Sequence, residues 1–282
     1  MFGETGQVAR EVLRRAGGVE VEALGRAAAD LSDPEACAAR IAATDADAVL
    51  NAAAWTDVDG AEAEEAAAAI VNGAAPAAMA EAAAARGLPF IHISSDYVFD
   101  GAGETARDET AATGPVNAYG WTKLAGEDGV RAAKGAHAIL RTSWVFSAHG
   151  RNFVKTMLRV GAARDRLTVV DDQIGGPTSA AAIADACLAI ARAFHEGRGA
   201  TGVFHFAGAP DVSWRGFAEA IFAAAGLRAE VAPIPTADYP TPARRPLNSR
   251  LDCGAIGAAF GIGRPDWRAD LEDVIRELKA TP

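Results

Sequence analysis

The feature that most constrains this chain is an alternation. Short apolar runs, "VEVEAL" (19–24), "ADAVLNAA" (46–53), "LPFIHIS" (88–94), "HAILRTSW" (137–144) and "GVFHFAG" (202–208), are separated by stretches of helical periodicity. Short apolar runs of this kind suit strands buried on both faces, and such strands are joined by crossover helices. The order predicts an α/β fold, a doubly wound parallel sheet. Helices are expected over 7–16, 34–43, 62–86, 118–134, 152–164, 179–195 and 213–225. Pro76 is expected to split the third, whereas Pro34 falls in a first turn, which tolerates proline. Alanine tracts such as "EAEEAAAAIVNGAAPAAMAEAAAARG" then read as outer helices, because alanine is the best helix former.

Composition narrows the class. Half of the 282 residues are hydrophobic, with no apolar run long enough to span a bilayer, which predicts a soluble globular protein. The charge of -10 argues against nucleic acid or an anionic membrane as partner. Cys37, Cys187 and Cys253 lie far apart and make no Cys-x-x-Cys pair, so the chain is expected in the reducing cytoplasm without a disulfide framework or a zinc ribbon. After about residue 210 the texture changes: "APIPTADYPTPARRPLNSRLD" carries five prolines and reads as an ordered loop region of a smaller C-terminal lobe.

In "FGETGQVAREV", Gly3 and Gly6 precede a helix at once, and Ala9 is the third small residue. Glycines there permit a tight turn and a close approach of backbone to a pyrophosphate, which the helix N-terminus attracts. A plain strand-to-helix turn fits two glycines about as well. Such a turn follows a central buried strand, yet only Met1 and Phe2 precede Gly3. The first strand is therefore largely missing, as from a start assigned too late or a fragment, and the chain is expected to be poorly stable with its glycine turn displaced. Beyond "VEVEAL", Gly25 and Arg26 stand where an NAD site places an acidic residue. Arg26 suits a 2'-phosphate, which favours NADPH over NADH, or is a solvated surface arginine.

"ISSDYVFDG" ends a buried strand, and "NAYGWTK" opens a helix about twenty residues later. Tyr119 and Lys123, four apart, share a helix face. A tyrosine is a poor acid-base catalyst at neutral pH, and a neighbouring ammonium is expected to lower its pKa. Ser95, at the carboxyl end of its strand, is placed to donate to the oxygen that Tyr119 protonates. His92 and His205 alternate with apolar neighbours and read as structural. Asp171 and Asp172 read as a solvated turn, with Thr178 or Ser179 capping the next helix. Arg244 and Arg245 suit a nucleotide diphosphate or a surface. Trp144 on its own reads as a core residue at a strand end.

Taken in order, "GETGQV", "LNAAAWTDVDGAE", "ISSDYVFDG", "NAYGWTKLAGE", "LRTSWVF", "NFVKTMLR", "VVDDQIGGPTSA" and "TPARRPLNSRLD" resemble the extended short-chain dehydrogenase/reductase superfamily and, within it, the dTDP-4-dehydrorhamnose reductase family, from the first glycine to the C-terminal helix. The resemblance implies a Rossmann-type sheet at 1–150, continued at about 178–210, with a sugar-nucleotide lobe from 151–177 and 211–282. It implies that Gly6, Gln7 and Val8, beside Gly3, meet the cofactor pyrophosphate, Asp30 and Leu31 the adenine, and Ala52, Ala53, Ala54 and Thr56 the cofactor from beneath. Tyr119 would be the proton donor, Lys123 its partner on the nicotinamide ribose, and Ser95, at a position more often threonine, the residue that tunes the tyrosine. Asp96 and Trp144 would contact substrate. The family's acidic ribose ligand is Gly25 here. The expected activity is reduction of dTDP-4-dehydro-L-rhamnose with NADPH, NADH remaining possible. A nucleotide-sugar epimerase or dehydratase, and a non-catalytic regulatory subunit of the same fold, stay as alternatives. A homodimer and any need for magnesium stay open.

Overall fold

The computed structural model describes residues 1–280. Four parallel strands form its central sheet, adjacent in the order given: β1 (Val49–Asn51), β2 (Phe90–Ser95), β3 (His137–Thr142) and β4 (Gly202–His205). The register pairs Val49 with Phe90, Phe90 with His137, and Ala138 with Gly202. The main helices are α1 (Gln7–Arg15), α2 (Pro34–Ala42), α3 (Ala75–Ala85), α4 (Ala118–Ala132), α5 (Phe153–Gly161), α6 (Ala180–His195), α7 (Trp214–Ala225) and α8 (Trp267–Ala280).

Apolar side chains fill both faces of the sheet, as parallel strands require. On one face, Val8 and Val12 of α1 and Ile183, Cys187 and Ile190 of α6 pack with Ile91 and Leu140. On the other, Ile41 of α2 and Met79 and Ala83 of α3 pack with Phe2, Val49, Phe90 and Ile139. A third cluster joins Met157, Leu167, Phe217, Ile221, Trp267 and Leu271 around a two-stranded sheet, Arg166–Val170 with Glu230–Ile234. That strand pair and the helix Gly254–Phe260 are absent from the sequence reading, where they lie among prolines and charges, and α8 enters it only as a C-terminal helix without bounds.

The N-terminal segment departs from expectation. Of the run 19–24, Leu24 makes the one β-bridge, to Phe2, and Glu22 O accepts from the Met1 ammonium at 2.7 Å. Residues 1–3 nevertheless occupy a strand position. Phe2 bridges Leu24 on one side and Asn51 on the other, through Phe2 N–Leu50 O (2.8 Å), Ala52 N–Phe2 O (3.0 Å) and Gly3 N–Leu24 O (2.9 Å). The glycine turn is thereby held in place rather than displaced.

The helix expected over 62–86 is not cut at Pro76. It runs as Gly60–Ala63, Glu65–Ala69, a π-turn over Ile70–Ala74, and α3, with Pro76 inside the first turn of α3. Proline lacks the N–H that would bond the carbonyl four residues back and its ring clashes there. The wider π-turn removes that clash, and the freed Asn72 carbonyl faces Gly126 of α4, where any Cβ would collide with it. The helices 60–85 and α4 can therefore approach closely only because residue 126, like residue 129 against Ala77, is glycine.

One buried ion pair fixes α4 on the sheet. Arg141 of β3 grips Glu127 with Nε–Oε1 at 2.8 Å and Nη2–Oε2 at 2.6 Å, and Ser94 of β2 donates to Oε1 at 2.6 Å. Burial penalises the Glu127 charge, but the bonds from Arg141 and Ser94 outweigh it and hold the carboxyl below its usual range. Glu127→Ala is expected to cost about 3–5 kcal/mol in urea unfolding, since Arg141 is left buried and unpaired. Because the folded-state pKa is depressed, the pair's contribution should be fully present above the unfolded value of 4.5 and fade as pH falls below it.

Candidate active site

The site lies at the carboxyl ends of β1, β2 and β3. Asn117 starts α4 there, its side chain accepting from Gly120 N at 2.8 Å and leaving Tyr119 and Lys123 in the first two turns. The same side chain donates to Arg244 O at 2.7 Å, which ties the start of α4 to the proline-rich loop. Arg245 of that loop pairs with Asp59 at 2.8 Å, so this arginine is a fastener between segments, and Arg244 keeps its side chain exposed.

Lys123 is only 2% exposed. Its ammonium donates to Ile93 O at 2.8 Å and stands 3.5 Å from His92 Nε2. Burial brings Lys123 down to about 8, with Glu127 acting the other way. Behind it, Asn51 bonds His92 Nδ1 at 3.2 Å, and burial followed by the Lys123 charge keeps His92 well below its usual pKa. His92 is thus a neutral wall of the lysine chamber, and His205, held by Arg107 O at 3.0 Å, is structural as expected.

Tyr119 differs from expectation in its electrostatics. Burial pushes the phenol up to about 12, with a Ser95 hydrogen bond lowering it and the Asp96 charge raising it. Lys123 does not bring it down, because its ammonium is turned to the β2 backbone. A phenol so raised stays protonated at neutral pH, the state that a proton donor needs. Ser95 Oγ donates to Asp96 Oδ1 at 3.0 Å and accepts from Tyr97 N at 3.2 Å.

The glycine turn lies at the start of α1. Gly3 adopts φ +104°, and a Cβ there would press on the Ala52 carbonyl. Gly6 begins α1 with no side chain capping its first turn, which leaves the N–H groups of Gln7 and Val8 facing outward, the donor set that a pyrophosphate requires. The Gln7 side chain itself is engaged, accepting from Ser147 Oγ and Asn152 Nδ2 at 2.8 and 2.9 Å, and that of Val8 is in the core. Ala52 and Ala53 continue from β1, while Ala54 and Thr56 are exposed beyond it. Arg26 is exposed just after Leu24, and the Glu4 carboxylate covers Gly25 so closely that a Cβ would overlap it. Asp30 accepts from Ser32 N at 2.9 Å, beside buried Leu31.

Trp144 stands at φ +48°, a costly conformation for a bulky residue, with its ring stacked on Trp214 at 3.6 Å between centroids and 11° between planes. Trp214 donates to Gln173 at 3.0 Å. Sequence reasoning missed Trp214, the first residue of α7, and Ser249, in the short strand Asn248–Ser249, because neither position carries a signal of what its side chain meets. Asp171 and Asp172 are less free than a solvated turn: Asp171 accepts from Ser213 Oγ and Asp172 from Thr236 N at 2.9 Å. Ser179 caps α6 by accepting from Ala182 N. A further cleft lies between α1, α6 and α8; along it Arg15 pairs with Asp185 and the Ser179 hydroxyl donates to Asp270.

A parallel sheet with a glycine-led, uncapped first helix, and a Tyr–Lys pair facing a serine at a strand end, defines an extended short-chain dehydrogenase/reductase. The family model for the RmlD substrate binding domain matches residues 1–280, and the dTDP-4-dehydrorhamnose reductase of Sinorhizobium fredii is 44% identical over 283 residues, 98% of this chain and 96% of that one. The chain belongs to the dTDP-4-dehydrorhamnose reductase family. Solved structures agree: the enzyme so named from Clostridium acetobutylicum superimposes with a TM-score of 0.91 at 34% identity, over 99% of this chain and 98% of its own. The Bacillus anthracis structure, in complex with NADP, gives 0.90 at 29% identity, over 98% and 97%.

Two substitutions test the site. Tyr119→Phe should lower turnover by about a hundred- to ten-thousandfold while leaving the NADPH dissociation constant nearly unchanged, as fluorescence titration would read. Arg26→Ala should weaken NADPH more than NADH, since a guanidinium grips only the extra phosphate; equal losses by the same titration would place Arg26 outside the site.

Proposed function

We propose that this protein reduces the 4-keto group of dTDP-4-dehydro-L-rhamnose to give dTDP-L-rhamnose, with NADPH as reductant. The observation that carries this reading is the convergence of Tyr119, Ser95 and Lys123 at one end of β2, beside a turn whose free N–H groups suit a pyrophosphate. Bound there, NADPH supplies hydride to the sugar C4. Tyr119 gives its proton to the oxygen as negative charge develops on it, and Ser95 lies against the same phenol to support the transfer. Lys123 keeps a buried positive charge at this end of β2, with its ammonium on the Ile93 carbonyl, and serves the nicotinamide-ribose side of the site rather than the phenol. Gly3, Gly6, Gln7 and Val8 cradle the pyrophosphate, and Ala52, Ala53, Ala54 and Thr56 line the cofactor from below. Arg26 takes the 2'-phosphate, and Asp30 and Leu31 flank the adenine.

Asp96 and the Trp144 indole contact the sugar, between the sheet and the lobe formed by 151–177 and 211–282. A buried site excludes water and strengthens each of these charge interactions. We place the protein in the cytoplasm, where its three buried free cysteines stay reduced. Among the described residues no helix is long and apolar enough to cross a membrane.

The test follows NADPH absorbance with a panel of nucleotide 4-keto sugars. The expected result is one NADPH consumed per sugar, with oxidised cofactor released in every turnover and the dTDP sugar preferred. Redox-neutral conversion with cofactor retained would instead mark an epimerase or dehydratase.

A further inference from the structure

Asp96 is 2% exposed and its carboxyl has unequal oxygens. Oδ1 accepts the Ser95 hydroxyl at 3.0 Å, whereas buried Oδ2 has no hydrogen bond of good geometry among the described residues, the Ser249 hydroxyl being the other side-chain group near enough to approach the carboxyl. No lysine or arginine among the described residues forms an ion pair with it. The groups that face it are the phenols of Tyr97 and Tyr119 and the Ser249 hydroxyl, with Arg245 and Asp59 behind Tyr97. A buried carboxylate without a cation is costly, so the acid form is favoured. Burial accordingly lifts the Asp96 carboxyl to about 7, against the hydrogen bonds of Ser249 and Ser95.

The hydroxyl of Ser95 has a single proton. While Asp96 is ionised, that proton is committed to Oδ1, and Ser95 offers only a lone pair to the Tyr119 oxygen. Once Asp96 is protonated, its own O–H donates to Ser95 Oγ, and the serine proton turns toward Tyr119. The phenolate left after proton transfer then receives a hydrogen bond from Ser95 instead of facing a lone pair. We propose that Asp96 is a positioning residue that sets the direction of the Ser95 hydroxyl, so that hydride transfer is fastest in the form with Asp96 protonated. This rests on the reductase reading above and adds to it a device for proton placement, distinct from contact with the sugar.

Of the other nearby groups only Lys123 titrates in the same range, about one pH unit higher. The two phenols are both raised by burial, His92 is held neutral, and Lys123 loses its proton near 8. The pH profile can therefore separate Asp96 from Lys123.

The experiment is a single-turnover measurement of hydride transfer on NADPH-loaded enzyme with dTDP-4-dehydro-L-rhamnose, between pH 6 and 9. The wild-type rate should fall about twentyfold from pH 6 to pH 8, about tenfold from loss of an acid form with a pKa near 7 and about twofold from Lys123. In Asp96→Asn, whose amide donates to Ser95 at every pH, the same interval should cost only about twofold, leaving the lysine limb. A tenfold fall that survives in Asp96→Asn, or a flat wild-type profile, overturns the proposal.

A second measurement needs no substrate. Infrared difference spectra should show a protonated buried carboxyl that titrates near neutrality in wild type and is missing in Asp96→Asn. Ser95→Ala should move that titration upward by removing a bond to the charged form. A carboxyl already ionised at pH 6, or one indifferent to Ser95→Ala, overturns the proposal, whereas failure of every nucleotide sugar to react while the band titrates as expected counts against the assigned reaction instead.

Discussion

The grip of Arg141 on Glu127 is the constraint on which the rest of the site depends. Glu127 lies one helical turn beyond Lys123, and its carboxylate reaches β3 through Arg141 and β2 through Ser94, the residue before Ser95. A displacement of α4 along the sheet breaks these bonds together, so the spacing between phenol, ammonium and serine is inherited from a pair that never touches substrate. Arg141 extends the arrangement further, lying 5.0 Å over the Phe99 ring and 3.3 Å from His205 of β4. Buried ion pairs are poor sources of net stability compared with apolar packing. Their value here is positional, since only one register of helix on sheet satisfies every donor.

Most of the sheet was legible because its strands are apolar on both faces. β2, β3 and β4 begin within two residues of the expected starts, and α1, α2, α4, α6 and α7 match within two residues at either end. Where legibility failed, the cause lies in partners distant along the chain. Whether 19–24 pairs depends on what backbone lies beside it, a property that its own composition does not contain. Likewise Arg166–Val170 becomes a strand through its match with Glu230–Ile234, more than sixty residues on.

At the candidate site, Tyr119, Lys123 and Ser95 could be read from spacing, because side chains four apart on a helix share a face and strand ends collect ligands. Their protonation could not. The expected effect of ammonium on phenol fails because Lys123 spends its charge on the Ile93 carbonyl and because burial, invisible in the sequence, dominates Tyr119. The stack of Trp144 on Trp214 is similarly hidden: two tryptophans seventy residues apart carry no mark of contact, and the positive φ of Trp144 becomes intelligible only with its partner in view.

The π-turn at Ile70–Ala74 bears on how this sequence can change over generations. Pro76 requires the widened turn, the widened turn presents the Asn72 carbonyl, and that carbonyl leaves room for nothing but hydrogen at residue 126. The Asn72 side chain, for its part, binds Trp55 and Thr122, joining the segment after β1 to α4. Neighbours so coupled do not contribute additively. The path by which a lineage could straighten this helix thus passes through intermediates worse than either end, and the bend is preserved by the order in which its parts would have to be given up.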